Sequence, residues 1–182
     1  MREPADLDRI HRFMRELARR ARGEGRVYFT GGATAVLLGW RPSTIDIDVK
    51  LVPERDELYR GIPEIKETLR LNVELASPVD FIPVRPDWDA RSPFVAREGT
   101  LSFHHFDFAA QALAKIERGH AQDLEDVDEM LRRGLVDRQQ LAEYFDTIEG
   151  ELYRYPALDP RAFRSRVDRI IGRNPAPTDV QQ

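Results

Sequence analysis

The sequence predicts an α+β fold, in which a small mixed β-sheet is flanked by helices and followed by a C-terminal helical segment. Residues 6–22 carry apolar side chains at three- and four-residue steps, as an amphipathic helix does. Short apolar and β-branched runs follow up to residue 106, and the pattern is helical again from residue 107. This order of elements is typical of a mixed sheet with a helical C-terminal part.

The first half of the chain alternates helices and strands. Gly31-Gly32 predicts a turn before a short buried helix, Pro53 ends the second strand, and Pro63 predicts a kink or break in the following helix. In order, the pattern predicts a helix at 6–22, a strand at 27–30, a helix at 33–40, a strand at 44–52, a helix at 54–70, strands at 72–75 and 79–84, and a hairpin of 94–97 and 100–106.

The second half is predicted to be helical, with glycines at Gly119 and Gly134 between helices. The predicted helices are 107–118, 120–133, 137–150 and 160–172. The tail contains two prolines and no apolar period, so we expect it to be disordered. We therefore predict an α/β core at 1–106, helices packed on that core at 107–173, and a disordered tail at 174–182.

Composition excludes several classes of protein. The chain has no cysteine, which rules out disulfide scaffolds, cysteine zinc sites and thiol nucleophiles. Its formal net charge is -4, so no overall basic field attracts nucleic acid, and we expect no DNA partner. The N-terminus lacks the apolar run of a signal peptide, and no stretch approaches the roughly 20 apolar residues of a membrane helix. We therefore expect a cytoplasmic protein with no membrane partner.

Two glycines and two aspartates give the strongest functional signal. Asp46 and Asp48 are two residues apart on a predicted strand, so both carboxylates face one side of the sheet. Mg²⁺ binds hard oxygen ligands, usually one or two carboxylates together with substrate phosphates and water. Gly31 and Gly32 precede a predicted helix, where a phosphate can approach free N–H groups, and Thr34 could add a hydroxyl. The sequence therefore predicts a phosphate cradle beside a metal site.

Residues 29–32 (Phe-Thr-Gly-Gly) and 44–48 (Thr-Ile-Asp-Ile-Asp) resemble the motif of the nucleotidyltransferase superfamily, which includes the DNA polymerase beta palm and tRNA nucleotidyltransferases. With Arg-Pro-Ser at 41–43, the chain looks most like the AbiEii/MenT toxin branch and its small bacterial relatives. A weaker likeness extends through Lys115 to residues 122–126, where a glutamine stands in place of the more usual basic residue. The resemblance implies a nucleotidyltransferase fold.

The resemblance also implies a set of metal ligands. Asp46 and Asp48 would be catalytic ligands of Mg²⁺ or Mn²⁺. The superfamily often has a third carboxylate between hydrophobic residues on a neighbouring strand, and Asp80 fits that pattern as a metal ligand and possible general base. Asp87 and Asp89 are the alternatives for this position.

Further residues would bind the nucleotide by the same resemblance. Lys115 would be a catalytic residue that steadies the phosphates as a point charge. The other implied nucleotide-binding residues are Gly31, Gly32, Thr34, Arg41, Ser43 and Asp123. A surface lysine and a helix-capping aspartate are the alternative interpretations of Lys115 and Asp123.

The function that the resemblance implies is transfer of a nucleotidyl group from ATP or another NTP to an acceptor hydroxyl, on a tRNA end or a protein. It also implies a toxin–antitoxin or phage-defence context, with a cognate antitoxin as a further partner. A second hypothesis is a non-catalytic module of the same fold that binds a nucleotide or a partner protein. A third is a metal-dependent phosphohydrolase.

Overall fold

The computed structural model describes residues 2–173, and this range contains seven α-helices and five strands. The elements are α1 (Leu7–Arg20), β1 (Gly25–Thr30), α2 (Gly31–Leu37), β2 (Asp46–Val52), α3 (Asp56–Leu69), β3 (Asn72–Glu74), β4 (Phe94–Glu98), β5 (Leu101–His105), α4 (Phe108–Arg118), α5 (Ala121–Arg132), α6 (Arg138–Ile148) and α7 (Pro160–Ile171). The tail predicted to be disordered lies outside the described residues. Within them, no helix is both long and apolar enough to cross a membrane.

Side chains at the helix ends explain several of these boundaries. The Asp6 carboxylate accepts a hydrogen bond from the backbone N–H of Arg9 and so begins α1. A reciprocal capping box of Asp137 and Gln140 begins α6. Gly172, with φ of 78°, ends α7 in the left-handed conformation that suits glycine.

The strands form one mixed sheet in the order β3-β2-β1-β5-β4. The central strand β1 is antiparallel to β2 and parallel to β5. At one edge, β3 runs parallel to β2, and at the other, β4 is antiparallel to β5. The predicted α+β class and the predicted hairpin at 94–106 are confirmed.

The sheet buries one face and directs polar residues to the other. In β2, Ile47 and Val49 are buried, while the alternating residues Asp46, Asp48 and Lys50 are half-buried. The buried face packs against α1 and α3 in one apolar cluster. The strand therefore directs both aspartates away from this core.

The chain divides into two compact units, each with its own apolar core. The first comprises the residues up to Asp80 together with Asp87–Asp107, and it contains the whole sheet with α1 to α3. The second comprises Phe81–Pro86 and the described residues from Phe108 onward, with α4 to α7. In its core, the rings of Phe145 and Phe163 pack edge to face with centroids 4.9 Å apart.

The structure corrects three local predictions. The predicted strand at 79–84 is wrong, because Pro78–Asp80 forms a 3₁₀ turn. The backbone N–H of Ser77 donates to the Asp80 carboxylate at 2.8 Å and favours this turn over an extended strand. No separate turn precedes α2, since the helix begins at Gly31 itself. Pro63 lies inside α3, so the predicted break of the helix at this residue is wrong.

Candidate functional site

Asp46 and Asp48 lie on the same face of β2, as the sequence predicts. In the adjoining strands, Asp48 is paired in register with Thr30 of β1 and with Glu74 of β3. Asp46 is paired with Asn72 of β3. Because paired residues of neighbouring strands point to the same face, the two aspartates share their surface with Asn72 and Glu74. We call Asp46, Asp48 and Glu74 the acidic face.

The glycine at the start of α2 lies directly against this face. A Cβ atom built on Gly31 would be 2.9 Å from Oδ2 of Asp48, closer than real Cβ atoms approach other atoms. Gly31 also has a φ of +61°, which disfavours L side chains. Any larger residue would therefore displace the Asp48 carboxylate, and the glycine allows that carboxylate to lie against the start of α2.

Gly32 explains the positions of two residues that precede β2. A Cβ atom there would overlap the hydroxyl of Thr44 and would lie 3.5 Å from Nη1 of Arg41. The Arg41 guanidinium is therefore close to the first turn of α2. Thr44 is fixed by backbone hydrogen bonds with Ala5 and by its hydroxyl, which donates to the Asp46 carbonyl at 3.0 Å. Ser43 is half-buried.

A polar network on β3 holds the Asp46 carboxylate in place. The Asn72 amide donates to Oδ1 of Asp46 and also to Oε1 of Glu74, at 3.3 Å. The guanidinium of Arg2 donates to the side-chain oxygen Oδ1 of Asn72 at 2.6 Å. These residues were absent from the sequence-based prediction. The signal for Glu74 was present, because it lies between Val73 and Leu75 on a predicted strand.

Thr34 is buried in the first turns of α2, with 1% of its surface exposed. Its hydroxyl donates to the Phe29 carbonyl at 3.3 Å and lies 3.1 Å from Nδ1 of His105. Burial lowers the pKa of His105 to about 4, so the imidazole is neutral near pH 7. In this arrangement Thr34 couples α2 to β1 and β5 and so positions the helix start beside Asp48.

Asp80 is exposed and lies in the 3₁₀ turn rather than on a neighbouring strand. Its carboxylate accepts from the backbone N–H of Ser77. Asp80 borders a pocket of about 80 Å³ that Lys50, Glu54 and Tyr59 also line. Its role as a metal ligand or base stays a prediction.

Lys115 and Asp123 come together in the second unit. The Lys115 ammonium lies 2.6 Å from Asp126 and 3.2 Å from Asp123, and Arg118 lies 2.6 Å from Asp123. The side chains of Lys115, Asp123 and Asp126 are only 6%, 9% and 1% exposed. We call these four residues the Lys115 cluster. Contact of its members with a nucleotide stays a prediction.

The donor set of the acidic face fits a magnesium–phosphate complex better than a site closed by protein ligands alone. Within residues 2–173, no three His, Asp or Glu side chains converge as a ready-made metal site. Asp46 and Asp48 supply two carboxylates, and Mg²⁺ usually takes one or two carboxylates plus phosphate oxygens and water. The space that a Gly31 side chain would fill lies beside the Asp48 carboxylate. Asp46 and Asp48 therefore suit an Mg²⁺ ion whose remaining ligands are phosphate oxygens and water.

Comparison with known proteins identifies the family. No curated protein and no solved structure matches the chain significantly, so nothing there tests the AbiEii/MenT branch. The model of one family, "Nucleotidyltransferase of unknown function (DUF6036)", matches residues 5–167. The five-stranded mixed sheet with its helices agrees with the predicted nucleotidyltransferase fold. The chain belongs to this family of nucleotidyltransferases of unknown function.

Proposed function

We propose that the chain is an active, Mg²⁺-dependent nucleotidyltransferase that moves a nucleotidyl group from an NTP to an acceptor hydroxyl. One observation carries the proposal: the Asp48 carboxylate lies against Gly31 at the start of α2, on the same face as Asp46. This arrangement provides two carboxylates for a cation and a side-chain-free approach for the phosphates that the cation binds.

Several residues of the first unit would each have a separate role in binding the metal ion or the phosphates. Asp46 and Asp48 would hold Mg²⁺ or Mn²⁺, and Asn72 would orient Asp46. Gly31 and Gly32 would let the phosphates approach the backbone. When bound, the ion would neutralise charge that develops on the phosphates during transfer. Arg41, close to Gly32, would add guanidinium donors to the same phosphates.

In the proposed reaction, the acceptor oxygen bonds to the α-phosphorus while the bond from that phosphorus to the β-phosphate oxygen breaks. The electron pair leaves with pyrophosphate. A carboxylate takes the hydroxyl proton. Asp80 is the sequence-based choice for that base, but Glu74 is supported better, because it lies on the strand beside Asp48 and shares Asn72 with Asp46.

For the acceptor, we propose a hydroxyl on a tRNA end or a protein, in a toxin–antitoxin or phage-defence system with a cognate antitoxin. This part rests on the resemblance of residues 41–48 to the AbiEii/MenT branch.

The test replaces both aspartates by Asp46→Asn with Asp48→Asn. Removing both ligands should reduce Mg²⁺-dependent transfer of label from α-³²P-NTP into bulk tRNA or the protein itself by at least about a thousandfold. The matched control is Glu64→Gln with Glu67→Gln, which removes two exposed negative charges from the same unit. It should leave transfer unchanged.

The other outcomes separate the hypotheses. Mg²⁺-dependent NTP binding without transfer to either acceptor would support the non-catalytic module. NTP breakdown without an acceptor would indicate a phosphohydrolase. Equal activity of the double aspartate variant and the wild type would refute the site.

A further inference from the structure

Lys50 is a cation that the proposed reaction has not yet used. It lies on β2 two residues after Asp48 and points to the same face, since Val49 between them is buried. In the neighbouring strand it is paired with Tyr28, two residues along from the pair of Thr30 and Asp48. Lys50 therefore extends the row formed by Asp46 and Asp48.

The Lys50 ammonium forms no hydrogen bond or ion pair within residues 2–173, although the side chain is half-buried. Two acids border the same pocket, but each lies beside another group. Asp80 accepts from the backbone N–H of Ser77, and Glu54 is a neighbour of Tyr59, whose pKa is raised by burial and by that carboxylate. A half-buried cation without an internal partner suits an anionic ligand, which would repay its partial desolvation.

The choice of residue type also points to a ligand. Of the 28 basic residues in the chain, only three are lysines, at Lys50, Lys66 and Lys115. An ammonium is a compact charge with three donors that can rotate, and it binds phosphate oxygens without the fixed geometry of a guanidinium. At one position on the face of the proposed phosphate site, the chain thus carries the basic side chain that fits a mobile phosphate group.

The spacing of residues along β2 suits contact between Lys50 and the outer phosphates of a nucleotide. Residues two apart on a strand are separated by about 6.6 Å, which places Lys50 just beyond the position of Asp48. If the cation and the α-phosphate lie at Asp46, Asp48 and Gly31, the remaining phosphates can extend along β2 towards Lys50. The opposite direction along β2 leads to Thr44, which is fixed to Ala5 by backbone hydrogen bonds.

We infer that Lys50 binds the β- and γ-phosphates of the NTP and the pyrophosphate that leaves. This inference rests on the proposed function, because it assigns a partner to the group that departs in that reaction. The ammonium forms charge-assisted hydrogen bonds to the phosphate oxygens and offsets their charge as the bond to the α-phosphate breaks. It does not contact the α-phosphate or the nucleoside.

The test compares Lys50→Met with Lys66→Met, which removes the same charge from the half-buried lysine of α3 in the same unit. Binding of Mg²⁺–ATP, Mg²⁺–pyrophosphate and AMP is measured by calorimetry, with the melting temperature as a check on folding. Lys50→Met should weaken Mg²⁺–ATP and Mg²⁺–pyrophosphate by about tenfold to a hundredfold, the range for a hydrogen bond to a charged group, and should leave AMP binding within about twofold. Lys66→Met should change none of the three.

Each outcome decides a different claim. If wild-type protein binds neither Mg²⁺–ATP nor Mg²⁺–pyrophosphate, the proposed function fails and the inference fails with it. If the wild type binds them and Lys50→Met binds as tightly as Lys66→Met, the inference alone is overturned. An equal loss for AMP would also overturn it, because AMP lacks the two outer phosphates. Should Lys50→Met lower the melting temperature, Lys50→Gln, which keeps a polar end, provides the same comparison.

Discussion

The acidic face of β2 and β3 and the Lys115 cluster of α4 and α5 both gather carboxylates, but Asp46 on the face and Asp126 in the cluster have different kinds of partner. In the cluster, the Lys115 ammonium lies between two nearly inaccessible carboxylates, at 2.6 Å from Asp126 and 3.2 Å from Asp123. On the acidic face, the half-buried Asp46 accepts from the neutral amide of Asn72.

The difference shows how exposure decides the source of a countercharge. A carboxylate that water cannot reach must obtain its cation from the protein, because an unpaired buried charge is very costly. A half-buried carboxylate keeps some hydration and can leave the countercharge to a ligand. The Lys115 cluster is thus expected to contribute mainly to stability, and Asp46 to ligand binding.

The largest expected effect is on the free energy of unfolding, and it tests whether the two regions differ in their contribution to stability. Asp126→Ala removes the closer of the two carboxylates from a buried ammonium, and breaking such a pair costs about 3–5 kcal/mol. Asp46→Ala removes a half-buried carboxylate with an amide partner and should cost about 1 kcal/mol or less. Urea denaturation of both variants and the wild type measures the free energy of unfolding. Similar losses for the two variants would remove the distinction between the regions.

When nucleotide binding is measured, the same two variants should show the opposite order of effects. Asp46→Ala should lose Mg²⁺-dependent binding of ATP while the protein stays folded. If Asp126→Ala remains folded under the conditions of the assay but loses ATP binding to the same extent, the cluster also serves the nucleotide, as the resemblance of Lys115 and Asp123 implied.

The sequence predicted those parts of the site that depend on local periodicity. Alternation along β2 was sufficient to place Asp46 and Asp48 on one face. Long apolar periods likewise predicted the helices of the second half. These features need only the geometry of a single strand or helix. The close approach of Asp48 to Gly31 was not foreseen, because the glycine was expected to admit a phosphate, and that role stays a prediction.

The missed features depend on register and on local side-chain hydrogen bonds. Glu74 comes beside Asp48 only because β3 returns parallel to β2 after α3, and one sequence does not specify that register. The turn at Asp80 forms because its carboxylate bonds to Ser77, whereas the pattern of hydrophobic residues around it suggested a strand. The third carboxylate was therefore sought on a strand that does not form.

The next largest expected effect distinguishes Glu74 from Asp80 as the third acid of the site. Glu74→Gln keeps the size of the side chain but removes the charge, and loss of a general base reduces the rate by about 10²- to 10⁴-fold. Asp80→Asn should leave the rate nearly unchanged, because its carboxylate serves the turn with Ser77. Steady-state transfer rates at saturating NTP measure both. A larger loss for Asp80→Asn would restore Asp80 as the base.

The smallest expected effect concerns the contact between Gly31 and Asp48, and it separates backbone strain from the position of the carboxylate. Gly31→Ala introduces a side chain at a φ of +61°, and Gly134→Ala does the same at a φ of +69° in the second unit. Each should cost about 1–2 kcal/mol of folding free energy, the penalty for an L-residue in the left-handed region. A Cβ atom on Gly134 would meet nothing within 4 Å, whereas one on Gly31 would be 2.9 Å from Oδ2 of Asp48.

Only Gly31→Ala should therefore displace the carboxylate. We expect it to weaken Mg²⁺–ATP binding by about tenfold, as loss of one well-placed charged contact does, while Gly134→Ala binds like the wild type. Calorimetric titration of both variants, with urea denaturation to match their stabilities, measures the difference. Equal affinities for the two variants would mean that the proximity of Gly31 and Asp48 serves the fold alone. A loss confined to Gly31→Ala would identify the start of α2 as part of the surface that receives the phosphates.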